Sequence, residues 1–184
     1  MTRRNLNNAF LPAALLAAVL PAMAAAQGRP SQVPTVELAP TLINSIPQGA
    51  ADTVELDFRV SPGFHINSNR PKSELLIPTV LKLNPPTDIV IGRISYPVGK
   101  EVSFPFAPDE KLSVYSGTFT VRVVVRPLAS VIPGKYVIRG QLKYQACDNS
   151  ACYPPRLLPL DFEVRIVKSS RPARRNPAQS PHAR

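Results

Sequence analysis

The 184-residue sequence has no tryptophan, two cysteines, two histidines and two methionines, and each scarcity closes off a class of function. A tetrahedral zinc site built on Cys147, Cys152 and His65 is one ligand short, because the other histidine, His182, lies in the C-terminal tail. Copper chemistry through thioethers lacks its ligand, since Met1 and Met23 both fall in an N-terminal segment that reads as removable. No metal and no cofactor is therefore expected. No Gly-rich phosphate loop, Ser/His/Asp grouping or carboxylate pair stands out, and there are no internal repeats. No stretch reaches the roughly 20 apolar residues of a spanning helix. No amphipathic helix of useful length is visible, and 22 prolines argue against one.

The ends of the chain are compositionally distinct. Arg3 and Arg4 precede an apolar run from Ala9 to Val19, followed by Pro21 and the small-residue stretch Ala22-Met23-Ala24-Ala25-Ala26. This is the pattern of a cleavable secretory signal over residues 1–26, with cleavage expected after Ala26, or else after Ala24. Residues 168–184 hold five cations and no acid among Pro, Ser and Arg, so they read as a disordered, solubilising tail. Without the leader's two arginines and the tail's five cations, the formal +10 falls to +3. A basic balance of that origin does not point to nucleic acid, and none is expected as a partner.

Between these ends the dominant pattern is period two. Val54, Leu56, Phe58 and Val60 alternate with Glu55, Asp57 and Arg59, and Leu160, Phe162, Val164 and Ile166 alternate with Asp161, Glu163 and Arg165. Further strands are expected at Thr79 to Leu83, Ile89 to Ser95, Thr118 to Val125 and Tyr136 to Tyr144. Ser61-Pro62-Gly63, Asn84-Pro85-Pro86, Ser116-Gly117 and Pro133-Gly134 supply the turns. The expectation is all-β, an immunoglobulin-like antiparallel β-sandwich over residues 51–167. Residues 27–50 should form an arm or first edge strand, confined to an edge by Pro30, Pro34, Pro40 and Pro47.

Within that frame the two cysteines are badly placed for a staple. An inter-sheet bridge of the immunoglobulin kind joins well-separated strands beside a buried tryptophan. Here four residues, Asp148-Asn149-Ser150-Ala151, separate Cys147 from Cys152, between the strand ending at Tyr144 and the strand beginning near Leu158. Closing so small a loop stabilises by roughly 2 kcal/mol, against about 4 kcal/mol for a bridge across half a domain. Both sulfurs should sit at one end of the sandwich, on a connection whose Asp-Asn-Ser is turn chemistry. An exposed, reversible disulfide fits better than a structural one. Asp148 opposes ionisation of Cys147, and Lys143 and Arg156 lie only at the margins, so thiols of ordinary acidity are expected.

The segment Tyr144-Gln145-Ala146-Cys147 to Cys152-Tyr153-Pro154-Pro155 resembles the active-site motif of the N-terminal periplasmic domain of DsbD, the thiol:disulfide interchange protein. Pro62-Gly63-Phe64-His65-Ile66-Asn67 and Ser113-Val114-Tyr115-Ser116-Gly117 add weaker matches, and together these extend over most of Ala51 to Val167. The spacing of the cysteines is one residue shorter than in the familiar form of the motif. The resemblance implies a periplasmic carrier of reducing equivalents with Cys147 and Cys152 as its catalytic pair, Cys152 joining mixed disulfides and Cys147 resolving them. It implies an aromatic cap from the stretch Val102 to Lys111, by Phe104 or Phe106. It also implies a site lined by Phe64, His65, Asn67, Tyr144 and Tyr153. From the residues alone His65 is expected as a hydrogen-bonded loop residue rather than a catalytic base. Its implied partners are thioredoxin-like proteins or domains and a DsbD-type membrane electron transporter. The sequence shows no polytopic segment and no thioredoxin-like Cys-x-x-Cys domain, so that transporter is expected to be encoded separately. Two rival readings remain: an exported binding or chaperone-like module with a purely structural disulfide, and a metal-delivery module.

Overall fold

The computed structural model describes residues 35–170. The signal-peptide reading of residues 1–26 lies outside the described residues, as does the tail from residue 171 on.

Among the described residues every regular element is a strand. A first sheet has the order β1 (Val36–Leu38), β3 (Asp52–Val60), β9 (Thr118–Pro127) and β6 (Ile89–Ser95). A second runs β2 (Asn44–Pro47), β12 (Arg156–Val167), β10 (Gly134–Tyr144) and β5 (Val80–Asn84). A third, smaller sheet runs β11 (Ala146–Cys147), β4 (His65–Asn67), β8 (Ala107–Tyr115) and β7 (Lys100–Phe104).

The sandwich follows from the alternation. On β3 only Val54, Leu56, Phe58 and Val60 are buried, and on β9 Phe119, Val121, Val123 and Val125 match them. These join Ile138, Leu142 and Tyr144 of β10 and Leu160, Phe162, Val164 and Ile166 of β12 in one apolar cluster between the two larger sheets. Phe58 stacks on Phe119 at 5.4 Å, and Tyr115 stacks on Phe119 at 4.7 Å. Gly117, with φ +64°, makes the turn between β8 and β9, which lie in different sheets. The result is an immunoglobulin-like sandwich.

Two details refine the expected antiparallel sandwich. One pair is parallel, β2 running alongside β12 from Asn44 opposite Val164 to Pro47 opposite Val167. The chain lays β1 against β3 at the edge of one sheet and then crosses past Pro40 to the edge of the other, where it runs in the same direction as β12. Val36 and Ile46 are buried in the cluster, so the N-terminal segment contributes core as well as edge. Residues 102–111, expected as a capping loop, instead belong largely to a hairpin in which Val102 opposes Leu112 and Ser103 opposes Lys111.

Candidate functional site

The cysteines close a hairpin. Cys147 and Cys152 face each other as an antiparallel pair, flanked by bonds from Asp148 N to Ala151 O (2.9 Å) and from Tyr153 N to Ala146 O (2.8 Å). This is a non-hydrogen-bonded cross-strand pair, the register in which opposed side chains come nearest. The cysteines form a disulfide with Cα atoms 3.9 Å apart. The loop holds its shape through Asp148, whose Oδ1 accepts from Ser150 N (2.7 Å) and Ala151 N (2.9 Å). Its Oδ2 accepts from the Tyr153 hydroxyl at 2.7 Å. The Tyr153 bond, then the two backbone N–H groups, hold the Asp148 carboxyl below its ordinary range, and the same carboxylate raises the Tyr153 phenol.

The two sulfur-bearing residues are unequal. Cys147 is fully buried at 0 % exposure, whereas Cys152 is partly exposed. On the far side of Cys147 lies β4, with His65 directly opposite it in the ladder. The His65 ring stacks on Phe104 at 3.9 Å and 15°, and Phe104 stacks on Phe106 at 5.5 Å and 11°. Phe104 is buried with Leu112, Val114 and Leu76 in a small cluster of its own, while Phe106 is partly open to solvent. Both cap candidates therefore belong to one aromatic stack, Phe104 inner and Phe106 outer, and His65 connects that stack to the cysteine ladder.

His65 departs from its expected loop position. It is a strand residue, buried, with Nε2 unpartnered, because β4 is covered on both faces. Burial pushes its pKa from 6.5 down to about 4, partly opposed by the negative charge of Asp148, so the ring is neutral at neutral pH.

Asn67, also fully buried, donates from Nδ2 to Ile77 O (3.1 Å) and to Gln145 Oε1 (3.0 Å). Gln145 is the residue that sequence reasoning left without a role. Its Oε1 also accepts from Ile77 N (3.2 Å), and its Nε2 donates to Tyr153 O (3.2 Å), so one amide clamps β4, the segment before β5 and the exit of the cysteine hairpin. Its position in the Tyr-Gln-x-Cys entry is the one sequence signal that could have singled it out. Phe64 meets the Tyr153 ring edge-on at 5.9 Å. Tyr144 is part of the main apolar cluster. Among the described residues no group of three or more His, Cys, Asp or Glu side chains could hold a metal ion, and no helix is long and apolar enough to cross a membrane.

Fold and site together define a class: an immunoglobulin-like sandwich carrying a cross-strand cystine on an end hairpin, one cysteine buried and the other partly open. Residues 33–157 match the family "Thiol:disulfide interchange protein DsbD, N-terminal", and the chain belongs to that family, whose domain is periplasmic. Similar solved structures include the reduced DsbD N-terminal domain of Neisseria meningitidis, at 24 % identity over 64 % of this chain and 85 % of that one, with a TM-score of 0.38. A complex between the DsbD and PilB N-terminal domains of the same organism matches at 23 % identity over 74 % and 87 %, with a TM-score of 0.39. A type I cohesin of Pseudobacteroides cellulosolvens matches at 10 % identity over 74 % and 94 %, with a TM-score of 0.46. No curated protein matches the sequence.

Proposed function

We propose that this chain is an exported thiol–disulfide carrier that passes reducing equivalents from a membrane or thioredoxin-like partner to oxidised exported proteins through Cys147 and Cys152. The observation that carries the reading is the inequality of the pair within a DsbD-type domain, Cys147 sealed and Cys152 partly open. Disulfide exchange needs a thiolate to reach a sulfur in line with the bond that breaks. An incoming partner thiolate meets Cys152 Sγ. The S–S electron pair departs on Cys147, leaving a mixed disulfide, which a second partner thiol resolves to release reduced Cys152. In delivery, the Cys152 thiolate attacks the target's disulfide. Cys147 then displaces the target's thiolate and restores the cystine.

Phe104 and Phe106 serve as the cover over the His65 side of the pair, and Gln145 and Asp148 hold the hairpin in position. The ionised Asp148 beside Cys147 gives no help to a thiolate, so speed comes from the partner's geometry. Residues 1–26 serve as the export signal and residues 168–184 as a solubilising tail. The donor is a thioredoxin-like domain or a separately encoded membrane transporter of the DsbD type.

Equilibration with a dithiol buffer tests the reading. The pair should show a potential above about −300 mV, and reduction should cost the domain only about 2 kcal/mol, as a loop this short implies. A potential below about −300 mV with collapse of the fold on reduction identifies a staple instead.

A further inference from the structure

Three residues stand side by side across adjacent, antiparallel-paired segments: Cys152 opposite Cys147, and Cys147 opposite His65. Directly opposed residues in such a ladder project to the same face, with Cβ atoms about 4.5–5.5 Å apart. At one end of this row lies a partly exposed sulfur, in the middle a buried one, and at the other end a buried imidazole whose Nε2 has neither a protein partner nor contact with solvent. An orphaned polar atom inside a protein costs on the order of 1–3 kcal/mol and calls for an explanation. The stack of Phe104 on one face of the ring fixes the ring plane and leaves the edge nitrogens as its means of making polar contacts. The ionisable neighbours facing the ring are Cys147 across the ladder and Asp148, whose carboxylate is engaged by Tyr153, Ser150 and Ala151.

We propose that His65 is a positioning residue for exchange, its Nε2 accepting a hydrogen bond from the Cys147 thiol once the disulfide is reduced. In the disulfide state Cys147 has no proton to give and Nε2 is left bare. When a partner thiolate forms its bond to Cys152 Sγ, the Cys152–Cys147 bond breaks and its electron pair leaves on Cys147 Sγ. One proton from solvent neutralises that thiolate. The resulting S–H then donates to Nε2, the ring keeping its own proton on Nδ1. The two electrons of the full reduction come from the partner's two thiols, the second of which releases Cys152, and no other reductant enters. The orphan is thus satisfied only in the reduced state, which makes the disulfide a better oxidant and holds Cys147 aimed within its buried slot until it attacks Cys152 again. This inference rests on the exchange reading above.

The test is imidazole nitrogen NMR on the 15N-labelled full domain in its disulfide and dithiol forms. The Nε2 resonance should lie in the range of a bare, pyridine-like nitrogen in the disulfide form and move upfield on reduction, while in Cys147→Ala it should stay bare under reducing conditions. His65→Phe, which keeps the stack on Phe104 but removes the nitrogen, should lower the equilibrium constant for reduction about tenfold, equivalent to about 30 mV more negative. His65→Gln, retaining an acceptor, should recover part of that. An Nε2 resonance unmoved by reduction, or one that carries the proton in both states, overturns the proposal. So do equal potentials for His65→Phe and the wild type. If the variants fail to fold, the wild-type spectra alone decide. Failure here, with a partner still captured on Cys152, removes the role of His65 and leaves the carrier reading standing; failure of that capture removes the carrier reading whatever Nε2 does.

Discussion

Replacing Gln145 with Ala is expected to destabilise the oxidised domain by about 2–4 kcal/mol, more than removal of any surface side chain. The expectation comes from what the amide leaves behind. Gln145 Oε1 accepts from the Asn67 side chain and from Ile77 N, while its Nε2 donates to Tyr153 O. Alanine supplies none of these. Ile77 N loses its acceptor, and the Asn67 side chain, whose Oδ1 is already unpartnered, keeps only its bond to Ile77 O. Each buried group left unsatisfied costs about 1–3 kcal/mol, which is how the total arises. Urea unfolding of the disulfide forms of wild type and variant reads the difference as a shift in midpoint at unchanged slope. A variant within about 0.5 kcal/mol of wild type would show that water or neighbouring backbone replaces the clamp.

The second large effect concerns the cover. Phe104→Ala removes the ring that lies on His65 and packs with Leu112, Val114 and Leu76, so a loss of about 3 kcal/mol is expected. That small cluster is separate from the main sandwich core, so the damage should stay local and the strand signal in circular dichroism should persist. Reduction by a small dithiol should become about tenfold faster, a barrier lowered by about 1.4 kcal/mol, because the His65 side of the buried sulfur is no longer sealed. Phe106 lies outside Phe104 and is 38 % exposed, so Phe106→Ala should change both quantities far less. Equal reduction rates in the two variants and the wild type would contradict a covering role for the stack.

The strands legible in the sequence are those that bury one face. On β3, and on β12 from Leu160 to Ile166, every second side chain is charged or polar, and the alternation marks strand and dry face together. β4 escaped because all three of its residues are buried, so His-Ile-Asn has no alternation to read. β7 and β8 escaped because their apolar positions are diluted by charge and interrupted by Pro105 and Pro108. The parallel β2–β12 pair could not be inferred locally, since its partners lie about 120 residues apart. The same limit applies at the site. The cysteine spacing and the Asp-Asn-Ser turn are local features and can be read directly. The clamp of Gln145 joins residues 78 and 68 positions away, and it became visible only when the ladder brought β4 beside β11. The bare nitrogen of His65 is likewise a property of packing, produced by Phe104 on one side and the cystine strand on the other.

In the proposed exchange Cys152 deals outward and Cys147 resolves. Incubating a Cys147→Ser variant with a periplasmic extract and with a purified thioredoxin-like protein tests it most directly, by non-reducing electrophoresis and mass spectrometry of the linked peptides. The account predicts a mixed disulfide that accumulates on Cys152 and dissolves with reductant, with little or none formed on Cys147 in the reciprocal Cys152→Ser variant. No adduct on Cys152, or equal adducts on the two cysteines, would contradict it.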